Sequence, residues 1–174
     1  RAEEVPPGFV FVPPGRFLYA SADHEDVRKQ FFTAQPMHEV TTGPYLIAAH
    51  ETTYSDYISF LESLAPAEQA EHLPRSGGNG QRGNALELRD GRWQFTLHSG
   101  SGPHRYVVSD GELLRYEQRD RRAQVDWQKF PVTGISIADA SAYLRWLDRT
   151  GRVPGARFCT EHEWERAARG ADGR

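Results

Sequence analysis

The sequence Arg157-Phe158-Cys159-Thr160-Glu161-His162-Glu163-Trp164-Glu165-Arg166-Ala167-Ala168-Arg169-Gly170 decides the fold of this chain. Thr160 and Glu163 have the spacing of a capping box, in which each side chain accepts a hydrogen bond from the other residue's backbone N–H. The pattern predicts a helix that starts at Thr160 and ends at Gly170. Its apolar side chains recur at helical spacing and are predicted to be buried: Trp164, Ala167 and Ala168.

The start of this helix does not carry a metalloprotease motif. His162-Glu163-Trp164-Glu165-Arg166 begins like the zinc-binding helix of such enzymes, but Arg166 stands where the motif needs its second histidine. This helix is therefore not the zinc-binding helix of a zincin-type metalloprotease. Glu161 and Glu165 lie one helical turn apart, and ion pairing with nearby arginines, Arg169 or Arg157, is the interpretation that we favour.

Cys159 is the one cysteine of the chain and precedes the predicted helix N-cap. Helix N-termini favour thiolates, so a reactive thiol is one interpretation. A buried thiol that packs as a small hydrophobic side chain is the interpretation that we favour. The sequence assembles no nucleophile with a base and an orienting group, so it predicts no catalytic, cofactor-binding or metal-binding residue in this chain.

Two further helices are predicted from the same capping signal. Thr53 with Asp56 begins one helix, which Pro66 is predicted to end, and Ser136 with Asp139 begins another, with Gly151 just beyond its end. The apolar stripe of the first helix consists of Tyr54, Tyr57, Ile58, Leu61 and Leu64. The stripe of the second consists of Ile137, Ala140, Tyr143, Leu144 and Leu147, with Trp146 at its margin.

Short β-strands are predicted in the N-terminal third of the chain. Phe9–Val12 and Arg16–Tyr19 flank a Pro-Gly turn and predict a hairpin. Residues 21–35 are polar and predict a loop or a short helical turn. Residues 36–40 and 45–47 predict two more strands around a Gly-Pro break.

Residues 65–130 predict a loop followed by β-hairpins. Asp90-Gly91 and Asp110-Gly111 each separate two apolar runs, and both residues of an Asp-Gly pair tolerate positive φ, so two hairpins are expected. Residues 78–83 match the GxGxxG pattern, but a loop precedes them and a strand-like run follows, so we interpret the match as chance. Residues 115–122 carry charges of both signs and predict a solvated edge.

The composition is that of a folded domain and excludes several classes of function. The 174 residues are 38% hydrophobic and 26% charged, with a net charge of −3, so no overall positive field attracts nucleic acid. No apolar run approaches membrane-spanning length, so no membrane insertion is expected. A single cysteine is typical of a reducing cytoplasm but leaves the compartment undecided.

Several segments, in order, resemble the formylglycine-generating enzyme family, the sulfatase-modifying-factor domain. Residues 157–170 resemble its signature Arg-Leu-(Pro/Cys)-Thr-Glu-x-Glu-Trp-Glu-x-Ala-Ala-Arg-Gly. The other similar segments are residues 9–18, 36–40, 50–54 and 131–146. The resemblance implies one α+β domain of C-type-lectin-like fold over residues 1–174, incomplete in this chain, with residues 65–130 as inserted loop and hairpins.

The resemblance places the chemistry of the family outside this chain. Its enzymes use two C-terminal cysteines that bind copper to oxidise a substrate cysteine to formylglycine, and that pair is expected beyond Arg174. Cys159 corresponds to the Pro/Cys position of the signature, so no catalytic residue carries over. The resemblance allows copper or calcium in the C-terminal half of the domain and implies no cofactor in this portion.

Two functions from different classes follow. The segments Pro13–Tyr19, Thr42–Ala48 and Asp148–Arg157 resemble domains attached to bacterial, myxobacterial-type serine/threonine protein kinases. The first hypothesis is therefore a non-catalytic recognition or sensor domain of a larger signalling protein, with a peptide or glycan ligand. The alternative is part of an oxidative enzyme whose active site lies C-terminal to this chain, and a purely structural module is a third interpretation.

The sequence also predicts a partner polypeptide. The chain begins at Arg1 and ends at Arg174, and both ends are expected to be cuts in a longer polypeptide. Three amphipathic helices with large aromatic residues need more covering segments than this chain provides. We therefore expect the remainder of the same domain, as a second polypeptide or cleaved fragment, to pack against it.

Overall fold

The computed structural model describes residues 5–30, 35–75, 83–98, 105–117 and 119–170. Over these residues the chain mixes helices with small antiparallel sheets, which agrees with the α+β class. The α-helices are α1 (Glu25–Gln30), α2 (Tyr54–Leu61), α3 (Pro66–Glu71), α4 (Ile137–Arg149) and α5 (Glu161–Arg169), with a 3-10 helix at Trp127–Lys129. The strands are β1 (Phe9–Val12), β2 (Gly15–Tyr19), β3 (His38–Thr42), β4 (Tyr45–Ala48), β5 (Ala85–Arg89), β6 (Arg92–His98), β7 (Arg105–Ser109), β8 (Leu114–Arg115) and β9 (Gln124–Val125).

The chain forms two compact units. The terminal unit comprises Arg1–His50 and Phe158–Arg174, and the central unit comprises Glu51–Arg157. The domain boundaries predicted from the sequence, one incomplete domain over residues 1–174 with an insertion at 65–130, stay a prediction.

The terminal unit contains two separate two-stranded sheets, β1–β4 and β2–β3. The predicted hairpin between Phe9–Val12 and Arg16–Tyr19 is wrong, because β1 pairs with β4 and β2 pairs with β3. The physical reason lies in Pro13 and Pro14, whose fixed negative φ cannot supply the positive-φ turn of a tight hairpin. Helix α1 fits the short helical turn predicted within residues 21–35, and α5 packs on β2 and β3.

The core of the central unit is built from aromatic side chains. Helix α2 buries five of its eight residues, and the rings of Phe95 and Trp127 stack with their centroids 5.2 Å apart. Trp146 is part of this core and not at its margin. The thirteen buried core residues are Tyr54, Tyr57, Ile58, Phe60, Leu61, Leu86, Trp93, Phe95, Val108, Leu114, Trp127, Tyr143 and Trp146.

The helices of the central unit begin at the predicted caps, with one correction to a helix end and one to the predicted burial of a stripe residue. Thr53 and Ser136 are N-caps with complete capping boxes. Pro66 does not end the first helix: α2 ends at Leu61, and Pro66 is the first residue of α3, where its missing N–H costs nothing. Ile137 is 81% exposed, because it lies in the first turn of α4 and its side chain extends beyond the core.

Strands β5, β6 and β7 form a three-stranded antiparallel sheet. The Asp90-Gly91 hairpin is confirmed: φ is 51° and 75° at these residues, and Arg89 faces Arg92 across the turn. The second predicted hairpin, at Asp110-Gly111, is wrong, because β7 pairs with β6 and β8 pairs with β9. At that turn Gly111 has φ of 78° whereas Asp110 keeps negative φ, and such a turn lets the flanking strands diverge.

Candidate functional site

Helix α5, within residues 157–170, begins and ends as predicted, but the side of the helix that faces the protein is not the predicted one. Helix α5 has Thr160 as N-cap, a complete capping box with Glu163, and Gly170 as C-cap with φ of 73°. The predicted burial of Trp164, Ala167 and Ala168 is wrong, since all three are exposed and Trp164 is 61% exposed. The buried residue of the helix is Arg166, at 8% exposure.

Four charged side chains, Glu161, Glu165, Arg166 and Arg169, make up what we call the α5 polar face. Arg166 Nη1 donates to the carbonyl oxygen of Gly15 at 3.1 Å and to the hydroxyl of Thr42. These two acceptors lie on β2 and β3, so a single guanidinium links the helix to both strands. A buried guanidinium is tolerated here because oxygen atoms replace the water that it loses.

The same face holds one strained backbone residue. Ala20 has φ of 76°, which is costly for a residue with a Cβ atom. Its N–H donates to Oε1 of Glu165 at 2.8 Å, and its carbonyl oxygen accepts from Nη1 of Arg169 at 2.7 Å. Arg169 and Glu165 are also paired at 2.7 Å, as the sequence predicted. The pair therefore stabilises the left-handed conformation of Ala20.

Tyr19 is a buried titratable group in contact with the α5 polar face. Its hydroxyl donates to the carboxylate of Glu161, and its ring lies edge-on to His162 and His38 with centroids 4.6 and 5.4 Å away. The hydrogen bond to Glu161, together with burial, raises the pKa of Tyr19 to about 12. Tyr19 therefore stays protonated at neutral pH and acts as a hydrogen-bond donor rather than as a base.

The central unit contains a second polar cluster, at the start of α4. Nδ1 of His72 lies 2.7 Å from Oδ1 of Asp139, and both side chains are largely buried. Oδ2 of Asp139 accepts from the backbone N–H and the hydroxyl of Ser136 at 2.8 and 2.7 Å. Burial alone would raise the pKa of Asp139, but the hydrogen bonds from Ser136 and His72 outweigh it and hold the pKa below its ordinary value. The cluster caps a helix.

The remaining candidate residues are not brought together. Cys159 is exposed, so its predicted burial as a small hydrophobic side chain is wrong; it precedes the N-cap and lies outside the face that α5 turns to β2 and β3. Of the GxGxxG match, residues 78–82 lie outside the described residues, and β5 follows, as the sequence predicted. The described side chains of residues 115–122 are exposed except for half-buried Tyr116, on which Arg119 stacks at 4.0 Å.

No metal site is formed by the part of the chain that the structure describes, where no group of three or more His, Cys, Asp or Glu side chains converges. A copper centre with two thiolates does not fit these residues, because the chain has one cysteine. Among the described residues, no helix is long and apolar enough to span a bilayer.

The whole chain, residues 1–174, matches the family described as the sulfatase-modifying factor enzyme 1-like domain. The chain belongs to this family. It is 24% identical over 180 residues to a protein of Thermomonospora curvata named formylglycine-generating enzyme, covering 97% of this chain and 50% of that protein. A protein of the same name from Streptomyces coelicolor is 28% identical over 163 residues, covering 94% of this chain and 47% of its own length.

A third protein named formylglycine-generating enzyme, from Mycobacterium tuberculosis, is 29% identical over 140 residues, covering 78% of this chain and 44% of its own length. The chain thus spans about half the length of the curated relatives that it matches. The family resemblance drawn from the sequence is confirmed at this level. In this member of the sulfatase-modifying-factor family, three charged residues of the signature bond to Tyr19 and Ala20 of the terminal unit: Glu161, Glu165 and Arg169.

Sequence reasoning missed the structural role of Arg166 and Tyr19. The signal was present in the spacing of residues 161, 165 and 169, which recur every four positions on one side of the helix, with 166 three positions before 169. We predicted that the apolar side of α5 would be buried because apolar side chains are more often buried than charged ones.

Proposed function

We propose that this chain is the N-terminal portion of a non-catalytic recognition domain of the formylglycine-generating-enzyme type, within a larger bacterial signalling protein. The observation that carries the proposal is the use of the α5 polar face. Three charged residues of the family signature stabilise the fold by bonding to Tyr19 and Ala20: Glu161, Glu165 and Arg169. Arg166, at a position that the signature leaves open, bonds to Gly15 and Thr42.

The proposal of a signalling protein is based on sequence resemblance alone. The three segments that resemble kinase-attached domains favour a serine/threonine kinase as the protein to which this domain belongs. A peptide or glycan is the ligand class that such a sensor would bind. The ligand-contacting surface is expected in the complete domain, and we assign no residue of this chain to it.

A second candidate function is supported by the names of the relatives. Three of them are named formylglycine-generating enzyme. Under this alternative, the complete protein oxidises a cysteine of a substrate protein to formylglycine, and a copper-binding cysteine pair outside this chain supplies the chemistry. Cys159 is expected to take no part in that reaction, because it corresponds to the Pro/Cys position of the signature and not to either cysteine of the pair.

One experiment on the complete protein separates the two functions. The protein is incubated in air with copper and a cysteine-containing substrate peptide, and the peptide mass is followed together with the bound metal. The recognition domain leaves the cysteine unchanged and binds members of a peptide and glycan panel. Formation of formylglycine overturns the recognition proposal and supports the enzyme.

Cys159→Ser is the matched control for this experiment. Under either function it leaves copper content, product formation and ligand binding unchanged, since Cys159 contributes to none of them. Loss of oxidation in this variant would contradict the placement of the chemistry outside the chain. A protein that neither oxidises the peptide nor binds any panel member would contradict both functions and favour a structural module.

A further inference from the structure

Helix α5 is inverted with respect to the usual pattern of an amphipathic helix. Its charged side chains, the α5 polar face, pack against β2 and β3, whereas Trp164, Ala167 and Ala168 point away from them. Trp164, Ala167 and Ala168 lie at i, i+3 and i+4 and so share one side of the helix. We call these three residues the Trp164 face. Helices of water-soluble domains ordinarily direct such an apolar stripe at a core.

Trp164 differs from every other tryptophan in the chain. Trp93, Trp127 and Trp146 are 3%, 0% and 6% exposed, whereas Trp164 is 61% exposed. An indole offers a large apolar area whose burial is favourable. The two alanines beside it leave room for another backbone or side chain to approach the helix closely. The Trp164 face therefore has the chemistry of a buried contact.

The rest of the terminal unit also has a small hydrophobic core and exposed apolar side chains. Its described buried hydrophobic residues are Phe17, Tyr19 and Tyr45, against thirteen in the central unit. Its two sheets have two strands each, and such pairs are marginally stable without a packed face. Three side chains of the β1–β4 sheet are about half exposed: Val10, Phe11 and Leu46. These observations describe a unit whose core is completed by other residues.

The lengths of the relatives point to polypeptide outside the matched region. This chain aligns with 50%, 47% and 44% of the length of the three curated relatives, so each of them contains about as much polypeptide outside the match. We propose that the Trp164 face is an intramolecular docking surface, covered in the complete protein by the remainder of the same domain. The inference depends on family membership and on exposure, and it holds under either candidate function.

Thermal unfolding of the complete protein tests the proposal. Trp164→Ala is compared with Ile137→Ala, which truncates an exposed apolar side chain on α4. If Trp164 is covered, Trp164→Ala lowers the melting temperature by about 5 °C or more, because the substitution leaves a cavity in a packed contact. The Ile137 variant changes it by about 1 °C or less. Equal, small shifts for both variants would overturn the proposal.

Iodide quenching gives a second measurement that does not depend on a large loss of stability. The difference in fluorescence between the complete protein and its Trp164→Phe variant isolates the emission of Trp164. The proposal expects this emission to be quenched no more than that of a buried indole. Quenching at the rate of a free tryptophan derivative would refute it.

Light scattering distinguishes the occupant. A monomeric complete protein with a protected Trp164 supports cover by its own remaining chain. Protection that appears only at concentrations where the protein dimerises would assign the face to a second copy and overturn the intramolecular proposal. None of the three readouts measures oxidation or ligand binding, so failure of this proposal is distinguishable from failure of the proposed function.

Discussion

Arg166 and Gly15 lie 151 residues apart in the chain, and Nη1 of Arg166 donates a hydrogen bond to the carbonyl oxygen of Gly15 at 3.1 Å. A Cβ atom added to Gly15 would lie 2.8 Å from Nη2 of the same guanidinium. The glycine thus provides both an acceptor and the space for the donor. Because Thr42 accepts from Arg166 as well, the guanidinium cannot move away without losing hydrogen bonds.

The first prediction concerns this close approach. Gly15→Ala is expected to lower the free energy of unfolding by about 1–2 kcal/mol. The added methyl group displaces the buried guanidinium of Arg166, which makes two hydrogen bonds. Gly43→Ala is the control, because a Cβ there meets no atom within 4 Å. It should be neutral or slightly stabilising. Urea denaturation of both variants measures the difference, and equal midpoints would contradict the close approach.

The second prediction concerns the charge itself. Arg166→Met should cost about 2 kcal/mol, because Thr42 and the Gly15 carbonyl lose a buried donor. Arg16→Met removes a guanidinium that is paired with Glu39 at 3.1 Å but is 71% exposed, and it should change stability by about 0.5 kcal/mol or less. Denaturant titration of the two variants tests the contrast. Similar costs for both substitutions would argue against a structural role of Arg166.

Features that depend on near neighbours in the sequence were predictable. The capping boxes at Thr53, Ser136 and Thr160 are confirmed because a hydroxyl and a carboxylate three residues apart satisfy each other's backbone N–H groups locally. The Asp90-Gly91 hairpin is confirmed for the same reason, since both turn residues adopt the positive φ that the turn requires.

Features that depend on distant partners were not predictable. Pro13 and Pro14 argue locally against a hairpin of β1 with β2, but the pairing of β1 with β4 depends on residues more than thirty positions away. The orientation of α5 depends on acceptors on β2 and β3 that its own sequence does not reveal. Helix α5 has a charged side and an apolar side. Which of the two faces the protein is decided by the acceptors on Gly15 and Thr42.

The third prediction tests one capping box. Ser136→Ala should lower the free energy of unfolding by about 1 kcal/mol, because Asp139 N–H loses its acceptor at 3.1 Å. Ser141→Ala, inside the same helix, removes only a hydroxyl that bonds the carbonyl oxygen of Ile137, and it should shift stability by about 0.5 kcal/mol or less. Thermal denaturation monitored by circular dichroism measures both variants. A cost for Ser141 that matches the cost for Ser136 would refute the box.

The fourth prediction concerns acid stability and Asp139. Burial would raise the pKa of this carboxyl, but hydrogen bonds from Ser136 and His72 hold it below the ordinary value of 3.8. Because the folded-state pKa lies below the unfolded one, the carboxylate's contribution is fully present above about pH 4. It is lost as the pH falls through the folded-state pKa. Asp139→Asn should therefore be less stable than the unaltered protein near neutral pH.

The difference in stability between Asp139→Asn and the unaltered protein should become smaller in acid, since the variant has no carboxylate to protonate at this position. Urea midpoints measured from about pH 6 down to about pH 2.5 give the two curves. Asp120→Asn is the control, because Asp120 is exposed, and its curve should parallel that of the unaltered protein. A constant gap between Asp139→Asn and the unaltered protein across this range would show that the carboxylate does not contribute through its ionisation.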